Sequence, residues 1–430
     1  SIVVIVVVRV TIVLRITISS NLSRSVVFSC YIRIRIVETE SSKSNYIVLL
    51  IIGVKTGDDI VRSMKSHEVW ERSFAFIEKE LLPEMVQDRC FCEPNSREFV
   101  QFDSATIRLD ELSRSSEIYR VTIVVRFSGE PRSFPLLLKL LPEEEAEHKS
   151  PTAFDAYQNE EMFYSKMTLK YGTDLVPKCY LSDLGRYGRP VIVLEDLEEA
   201  GYTQVDGELD EEHLKLCVQV LAKFHARGLR LKATEPQVFR EFEAKLLEIS
   251  LTEETMLHYE KRSTRMLDIL ETMPNSGFVE RIKHRLNKRP MEIVKAIATG
   301  VNDVSTICHG HFSHDNLLFK YQNGKPIDAK MIDWQTMRYC SPAVDLGPIL
   351  LYNVTHENGP SEVQKILTLY IDTVRSEYPE VDSERLREDV VDKFLFACVV
   401  LSILDHITDD ELTRVLLLLE QLDNFDETQK

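Results

Sequence analysis

Hydrophobic residues recur along this chain with two different periods, and the period changes near the middle of the sequence. Between residues 98 and 141, three apolar runs have the length and spacing of strands, and turn residues such as Ser128-Gly129 separate them. The predicted strands are Glu98–Phe102, Tyr119–Phe127 and Phe134–Leu141. After Asp210 the apolar residues follow helical spacing from Leu214 to Phe224, and Gly228 is predicted to end that helix. The pattern indicates a sheet-rich half followed by a helix-rich half.

Four further elements follow from the same spacing rules. They are a helix that begins after Gly57 and stops at Pro83, a helix over Phe154–Leu169, a strand over Val191–Leu194, and a hairpin of Leu317–Tyr321 with Lys330–Asp333. Together these elements predict an α+β protein with two lobes, an antiparallel-sheet N-lobe and a mainly helical C-lobe. The junction near Glu195 is then the natural cleft between the lobes.

The domain boundaries follow from a change of composition near the amino terminus. Of the first 54 residues, 27 are Ile, Val or Leu, but uninterrupted apolar runs there are at most seven residues long. A membrane-spanning helix needs about 20 apolar residues, so a membrane span is not expected, and a membrane-associated segment is the alternative to a β-prone extension. We expect residues 1–56 to be a β-prone extension, 57–195 an N-terminal helix with the N-lobe, and 196–430 the helical C-lobe with the catalytic loop.

The charge balance narrows the class of partner. The chain has 52 basic and 69 acidic residues, which gives a net charge of −17 at pH 7. Proteins that coat nucleic acid or anionic membranes need a basic surface, so the charge argues against nucleic acid and anionic membranes as partners. The eight cysteines form no CxxC pair, which in a chain this long favours a reducing compartment and a cytoplasmic location.

Candidate chemistry begins in a histidine-rich loop. The loop runs from His309 to Asn316 and leads into the predicted hairpin, which ends at Asp333. Phosphoryl transfer requires magnesium held by oxygen ligands, close to a residue that orients the attacking hydroxyl. In kinase-like enzymes the orienting residue stands five positions before a metal-binding Asn, and here that position is His311.

Two charged residues upstream extend this pattern. Lys139 ends the apolar strand that begins at Pro135, as expected of a lysine that binds phosphates. Glu160 lies on the next predicted helix and is a candidate partner for Lys139. Each feature alone is weak, because a strand lysine or a helix glutamate is usually solvated. Their order along the chain makes the combination informative.

Several motifs together resemble one family. They are Leu137-Leu138-Lys139, Asn159-Glu160-Glu161-Met162-Phe163-Tyr164, Val193-Leu194-Glu195-Asp196-Leu197, Leu221-Ala222-Lys223-Phe224-His225-Ala226, the His309–Phe319 loop, Ile332-Asp333-Trp334-Gln335, and Ser341-Pro342-Ala343-Val344-Asp345-Leu346. Between about Phe99 and Phe394 the chain resembles the ecdysteroid kinase-like (CHK kinase-like) family of the choline kinase and aminoglycoside phosphotransferase superfamily. The resemblance implies a protein-kinase-like fold and an ATP- and magnesium-dependent transfer of phosphate to a hydroxyl of a small, steroid-like molecule, with no obligate protein partner.

The resemblance also implies residue roles. Lys139 holds phosphates, Glu160 fixes Lys139, and Asp345 anchors the catalytic loop. Glu195, Asp196 and Leu197 form the adenine hinge, and Asn316 and Asp333 hold magnesium.

Two departures from the family pattern leave an alternative open. The family has His-Gly-Asp where this chain has His309-Gly310-His311, so the carboxylate that receives the substrate proton is missing. An imidazole can accept a proton but provides no anionic contact, and Asp315 is the local carboxylate that can compensate. The nucleotide loop Leu112–Tyr119 has no glycine, although the hydroxyls of Ser115 and Ser116 can contact phosphates. The alternative is a catalytically weak pseudokinase that binds ATP or a small hydrophobic ligand.

The sequence fits two other classes of protein, a protein kinase and a zinc enzyme, less well. Only 11 residues separate Asp333 from Asp345, and no Ala-Pro-Glu follows, which leaves no room for the peptide-docking loop of a protein kinase. His309, His311 and His314 have a spacing that can contact zinc, but the sequence offers no further cluster of ligands. A small-molecule kinase is therefore the favoured prediction.

Overall fold

The computed structural model describes residues 5–14, 28–37, 47–55, 70–112, 116–142, 151–286, 289–354 and 359–429. The chain divides into two compact units, Ser1–Leu81 and Leu82–Lys430.

The first unit contains an antiparallel sheet and a helical segment. The strands are β1 (Ile5–Leu14), β2 (Phe28–Val37) and β3 (Ile47–Lys55), in the order β1-β2-β3. Their high content of Ile and Val suits strands, because β-branched side chains are stiff and pack well on a pleated surface. The helical segment is α1 (70–76), which continues as a π-helical turn over Ile77–Leu81.

The second unit begins with α2 (Leu82–Gln87) and a five-stranded antiparallel sheet. The strands are β4 (Val100–Leu112), β5 (Glu117–Phe127), β6 (Glu130–Leu140), β7 (Cys179–Asp183) and β8 (Val191–Glu195), in the order β4-β5-β6-β8-β7. The predicted turn at Ser128-Gly129 joins β5 to β6, and both residues have positive φ. Along β5 the odd-numbered residues are buried, so one face of the sheet packs on a core.

Between β6 and β7 lies the helix predicted over Phe154–Leu169. It is observed as α3 (Pro151–Met162), a π-helical turn (Phe163–Met167) and α4 (Thr168–Tyr171).

The remainder of the second unit is mainly helical. Its helices are α5 (Glu211–Thr234), α6 (Pro236–Glu243), α7 (Glu253–Thr272), α8 (Ser276–Leu286), α9 (Pro290–Thr299), α10 (Ala343–Asn353), α11 (Gly359–Glu377), α12 (Ser383–Val391), α13 (Phe394–Ile403) and α14 (Asp409–Gln429). Asp210 caps α5 by accepting a hydrogen bond from the amide of His213. A single large hydrophobic core runs through these helices and reaches Ile192 and Leu194 of the sheet.

Two small sheets interrupt the helices. The first has the order β12-β11-β9 and consists of β9 (Tyr202–Thr203), β11 (Leu317–Gln322) and β12 (Lys325–Met331). The second pairs β10 (Thr306–Cys308) with β13 (Arg338–Cys340). The predicted hairpin is thus confirmed, and its turn residues Asn323 and Gly324 both have positive φ, as a tight two-residue hairpin turn requires.

Two predicted helix ends are wrong, each for a local reason. Helical residues continue past Pro83 to Gln87, because Pro83 lies in the first turn of α2, where a missing N–H leaves no hydrogen bond unmade. Gly228 does not end α5 but lies inside it. A Cβ at this position would meet Thr306 Oγ1 at 2.2 Å and Tyr171 Oη at 2.9 Å, so the glycine permits close packing.

The predicted fold class is confirmed. An antiparallel-sheet lobe is followed by a mainly helical lobe, which is the two-lobed arrangement of the protein-kinase-like α+β class. Among the described residues, no helix combines the length and the apolar character that crossing a membrane requires.

Candidate active site

Three residues from distant parts of the chain meet around one ammonium group. The Nζ of Lys139, on β6, lies 2.6 Å from Glu160 Oε2, on α3, and 3.2 Å from Asp333 Oδ1, just beyond β12. The side chains of Lys139 and Glu160 are 10% and 2% exposed. The structure therefore brings together the predicted phosphate lysine, its predicted partner and one predicted metal ligand.

Burial and charge act in opposite directions on this group. Burial disfavours the charged lysine, but the carboxylates of Glu160 and Asp333 outweigh it and raise the pKa of Lys139 above its usual value. Burial likewise opposes ionisation of Asp333, yet the charge of Lys139 lowers the pKa of Asp333. Lys139 is therefore a permanent cation in the pH range of interest, and it holds a carboxylate in its charged form.

Asp333 lies in a strained and well-supported turn. Its φ is +65°, a left-handed conformation that residues other than glycine rarely adopt, and such strain concentrates at functional sites. The next residue, Trp334, is fully buried and stacks on Phe163 with ring centroids 3.6 Å apart. Gln335 Nε2 donates to Glu160 Oε2 at 3.3 Å. Packing on both sides of Asp333 thus stabilises the turn that points it toward Lys139.

The loop after β10 is anchored by one buried carboxylate. Asp345, at the start of α10, accepts hydrogen bonds from the amides of His309 at 2.6 Å and Gly310 at 2.8 Å. It also lies 3.1 Å from His225 Nε2. Burial alone would raise its pKa, but the hydrogen bond and charge of His225 lower the pKa of Asp345. These contacts place Asp345 where the resemblance expects the anchor of the loop.

Gly310 allows this loop to approach the turn after Asp333. It has a φ of +86°, and a Cβ there would lie 1.9 Å from the carbonyl oxygen of Thr336. Thr336 Oγ1 donates to the carbonyl of His309 at 3.1 Å, and His309 Nε2 donates to the carbonyl of Ile332 at 2.9 Å. Burial lowers the pKa of His309 although the charge of Asp345 and the hydrogen bond to Ile332 both favour the charged imidazole.

Asn316 is held in a defined orientation. Its Nδ2 donates to the carbonyl of His311 at 2.9 Å, and the amide of Ile332 donates to the carbonyl of Asn316 at 3.1 Å. The first bond directs the amide nitrogen to the loop, so the side-chain oxygen is the atom left for a ligand. The second bond ties the loop to the end of β12, one residue before Asp333.

The predicted hinge follows directly after β8. The amide of Asp196 donates to the carbonyl of Pro135 at 3.1 Å, and Glu195 Oε2 accepts from the amide of Lys178 at 3.3 Å. Within the described part of the chain, the amide of Leu197 donates to no backbone carbonyl. Leu197 therefore offers a free donor at the edge of the cleft.

A cavity of about 430 Å³ connects the hinge to Lys139, and we call it the larger cavity. Its volume is within the range of small-molecule sites. Its apolar lining comes from both sides of the cleft, namely Ile118, Leu137, Leu194, Leu318 and Ile332. Its lining also includes every predicted cofactor and metal residue, namely Lys139, Glu160, Glu195, Asp196, Leu197, Asn316 and Asp333.

A second cavity, which we call the smaller cavity, lies on the other side of the same loop. It measures about 60 Å³ and is lined by residues 310–314 together with apolar side chains of the helical lobe. These side chains are Val344, Pro348, Ile349, Tyr352, Val400, Leu401, Leu404 and Ile407. Ser313 Oγ is buried there and has no hydrogen-bond partner among the described residues. The lining suits an apolar compound with one polar group.

The two candidate catalytic residues are not brought together. His311 is exposed and lines the smaller cavity, whereas Asp315 lines the larger one. Asp315 Oδ1 lies 3.2 Å from His314 Nε2, and its carbonyl accepts from Gln204 Nε2 at 2.7 Å. His311 and Asp315 therefore lie on different cavities, whereas Asp315 and its neighbour Asn316 line the same one.

The structure also bears on the zinc alternative and on the nucleotide loop. In the described ranges, the one cluster of three potential metal-ligating side chains is His225, Cys308 and Asp345, so the three loop histidines do not form a zinc site. Residues 113–115 of the nucleotide loop lie outside the described residues, and of the two candidate phosphate contacts, Ser115 and Ser116, the structure describes Ser116, which lines the larger cavity.

Asn159, next to Glu160 in its motif, has a structural role that the sequence did not assign. Asn159 Nδ2 donates to the carbonyls of Leu247 and Gln335, each at 2.8 Å, and its Oδ1 accepts from the Leu247 amide at 2.9 Å. It joins α3 to the turn after Asp333. An asparagine beside a functional glutamate in a buried helix is the sequence feature that points to such a partner.

The sheet, the Lys139–Glu160 pair, the loop anchored by Asp345 and the hairpin ending at Asp333 define a kinase-like phosphotransferase. More particularly, the chain belongs to the ecdysteroid kinase-like family, whose model matches residues 114–380, more than half of the chain. The resemblance inferred from the motifs is thus confirmed.

Solved structures of low identity are also similar. The GDP complex of aminoglycoside 2′-phosphotransferase-IIIa is 14% identical, with 81% of this chain and 100% of that chain covered and a TM-score of 0.37. An aminoglycoside phosphotransferase from Alicyclobacillus acidocaldarius is 12% identical, with 75% and 91% covered and a TM-score of 0.40. A Plasmodium vivax ethanolamine kinase is 11% identical, with 74% and 81% covered and a TM-score of 0.33. The search of curated proteins returned no match.

Proposed function

We propose that this protein is an ATP- and magnesium-dependent phosphotransferase that phosphorylates a hydroxyl of an apolar, steroid-like small molecule. The observation that carries the proposal is the position of Lys139 between Glu160 and Asp333 at one end of the larger cavity. Membership of the ecdysteroid kinase-like family supports it. In this proposal Lys139 binds ATP phosphates, Glu160 orients Lys139, and residues 195–197 hold the adenine.

The predicted metal ligands have suitable chemistry for magnesium. Asp333 offers a carboxylate and Asn316 an amide oxygen, and Mg²⁺ prefers such hard oxygen ligands. The hydrogen bond from Asn316 Nδ2 to His311 already assigns the oxygen of Asn316 to the cavity. When bound, magnesium would neutralise charge on the phosphates. The residues themselves act before that, since Lys139 keeps Asp333 ionised and the loop keeps Asn316 oriented.

The smaller cavity is our proposed site for the acceptor. One loop lines both cavities, with residues 310–314 on the smaller and Asp315 and Asn316 on the larger, and we place the acceptor hydroxyl where the two meet along this loop. Its apolar lining favours an apolar compound, and Ser313 Oγ provides one hydrogen bond. Because the cavity measures about 60 Å³, it receives one edge of a steroid-sized acceptor, and the rest lies at the mouth.

In the proposed reaction, His311 accepts the proton of the acceptor hydroxyl as the oxygen bonds to the γ-phosphorus of ATP. The bond between that phosphorus and the β–γ bridging oxygen breaks, and ADP leaves with the bridging oxygen. Lys139 stabilises the negative charge that the phosphates carry throughout. His311 occupies the smaller cavity's wall, where the acceptor hydroxyl is placed.

The test is a thermal-shift measurement followed by turnover. With magnesium, ATP at a hundred times its Kd should raise the melting temperature of the wild type by roughly 3 °C. Asp333→Ala should lose the magnesium-dependent part of this shift. Asp328→Ala, on the same hairpin but outside the larger cavity, is the matched control and should keep it. An unchanged shift in Asp333→Ala contradicts the assignment of Asp333.

The acceptor is tested in the same preparation. ATP consumption should rise with ecdysteroids as acceptors and should not rise with a polar amino alcohol. The reverse preference contradicts the proposed acceptor class while leaving ATP binding intact.

The second candidate is a pseudokinase that binds ATP or a small hydrophobic ligand. It is favoured by one observation, the imidazole of His311 where the family has a carboxylate. ATP-dependent stabilisation without turnover on any acceptor would support this candidate over the first.

A further inference from the structure

One arginine in the larger cavity contacts three carboxylates from two segments of the chain. Arg120, on β5, places Nε 3.0 Å from Asp110 on β4, Nη1 2.6 Å from Asp196, and Nη2 2.5 Å from Glu198. We call these four residues the Arg120 cluster. It joins two strands of the sheet to the hinge.

The contact with Asp196 is the most buried part of the cluster. The side chains of Arg120 and Asp196 are 12% and 4% exposed, whereas Asp110 and Glu198 are 38% and 55% exposed. Asp196 Oδ1 also accepts from the amide of Glu198 at 3.1 Å. Burial opposes the charge of Arg120, but its hydrogen bond to Asp196 prevails and raises the pKa of Arg120. The pair is charged, oriented and shielded from water.

The sheet register locates the cluster along the cavity. Ile118 pairs with Lys139, and Arg120 pairs with Leu137, which in turn pairs with Leu194 of β8. A strand rises about 3.3 Å per residue, so Arg120 lies about 7 Å along β5 from the level of Lys139. The cluster is therefore at the hinge end of the larger cavity, away from the proposed phosphate-binding end.

A second arginine on the same face of β5, Arg126, does not contact the hinge. Arg126 lies on the same face as Arg120, but its Nε contacts Asp103 at 2.7 Å, and both side chains are 30–45% exposed. Asp103 belongs to the neighbouring strand β4 and not to the hinge. Arg126 therefore provides a control with the same side chain, strand and kind of partner.

We propose that Arg120 is a positioning residue for the purine nucleoside of the bound nucleotide. By tying Asp196 and Glu198 to the sheet, it fixes the hinge backbone against the apolar residues Leu137 and Leu194 that would enclose the base. The inference rests on the proposed function and adds to it the residue that sets nucleoside affinity.

The experiment compares adenosine with ATP, because adenosine has no phosphates. In calorimetric titrations, Arg120→Met should weaken both ligands by roughly tenfold or more, the loss expected for one charge-assisted hydrogen bond. In turnover it should raise KM for ATP and leave kcat within about twofold. Arg120→Lys should be intermediate, because an ammonium cannot bridge three carboxylates as a guanidinium does. Arg126→Met should match the wild type.

A second variant separates the positioning role from a folding defect. Arg120→Met leaves the buried carboxylate of Asp196 without its cation, so Arg120→Met combined with Asp196→Asn removes that charge as well. The double variant should fold and still bind adenosine weakly. Wild-type adenosine affinity in the folded double variant overturns the inference.

The remaining outcomes are also decisive. If Arg120→Met weakens ATP but not adenosine, the residue acts on phosphates and the inference is wrong. If the wild type binds adenosine and ATP and Arg120→Met binds both equally well, the inference fails and the proposed function stands. If the wild type binds neither ligand, the proposed function fails, and the inference fails with it.

Discussion

The larger and the smaller cavity share one loop but are built in different ways. The larger cavity is organised by charged groups that meet from distant parts of the chain, such as Lys139, Glu160 and Asp333. The smaller cavity is formed by apolar side chains of α10, α13 and the segment after α13, with Ser313 as a buried polar group. One cavity depends on individual hydrogen bonds, and the other depends on shape.

This difference indicates how each side should respond to substitution. A buried charged group that loses its partner is costly, so single changes in the larger cavity should have large effects. An apolar wall tolerates changes of similar volume and mainly alters which ligand fits. Single substitutions in the larger cavity should therefore reduce activity strongly, whereas substitutions in the smaller cavity should mainly change acceptor preference.

The largest expected effect lies in the larger cavity. Lys139→Met should lower ATP turnover about 10²–10³-fold, because it removes the cation that would stabilise charge on the phosphates. Steady-state kinetics measure the loss, and circular dichroism should show a folded protein. Glu160→Ala should reduce turnover in the same direction, since it removes the carboxylate that orients Lys139.

A surface lysine gives the matched control. Lys170 on α4 pairs with Glu235 at 2.5 Å, and the two side chains are 37% and 45% exposed, so Lys170→Met should change turnover little. If Lys139→Met and Glu160→Ala both left ATP binding and turnover unaffected, the contrast drawn between the two cavities would be wrong. The N-lobe would then not be the nucleotide-binding lobe.

An intermediate effect is expected on the wall between the cavities. His311→Asp restores the carboxylate five residues before Asn316, and general-base positioning typically contributes about 10²–10⁴-fold. We expect a gain in turnover of at least about tenfold. Because His311 is exposed, the substitution should leave the melting temperature nearly unchanged.

The alanine variant sharpens this test. His311→Ala should lose turnover relative to the wild type if His311 accepts the substrate proton. If His311→Ala keeps activity while His311→Asp loses it, His311 is not the base. The role would then pass to Asp315, or the protein would be the pseudokinase described above.

The smallest expected effect concerns pH. Burial lowers the pKa of His309, so the unfolded state takes up a proton at a higher pH than the folded state. The stabilising contribution is therefore complete above the ordinary histidine pKa of about 6.5 and decreases as pH falls below it. One such proton changes the free energy of unfolding by at most about 1.4 kcal/mol per pH unit.

His309→Gln isolates that contribution. Its amide can still donate to the carbonyl of Ile332, and all other histidines are the same in both proteins. Urea unfolding of the metal-free proteins between pH 6.5 and 5 should show a shallower loss of stability in the variant. Parallel slopes would mean that His309 is not held neutral in the folded state.

Much of the fold was predictable because its patterns are local. The strands near β5, β6 and β8 and the β11–β12 hairpin follow from alternation and turn residues. The errors at Pro83 and Gly228 share a cause. Both residues usually break helices, but Pro83 occupies a first turn and Gly228 faces Thr306, a contact that no local pattern contains.

The site was predictable only in part, for a related reason. Lys139, Glu160 and Asp333 were found because their order and spacing are distinctive, and the structure places them together. The roles of Asn316 and His311 remain predictions. Arg120 was missed because it alternates along β5 in the same way as Arg126, and only the sheet register shows that one reaches the hinge and the other does not.

Residues 310–314 line the smaller cavity and Asp315 and Asn316 the larger, so under the proposed function this one loop would couple the two ligands thermodynamically. A nucleotide that immobilises this segment leaves less conformational entropy for the acceptor to lose, and the acceptor does the same for the nucleotide. The exchange is necessarily symmetric, since each ligand must change the affinity of the other by the same factor. Acceptors that differ in affinity would accordingly differ also in how strongly they change the affinity for ATP.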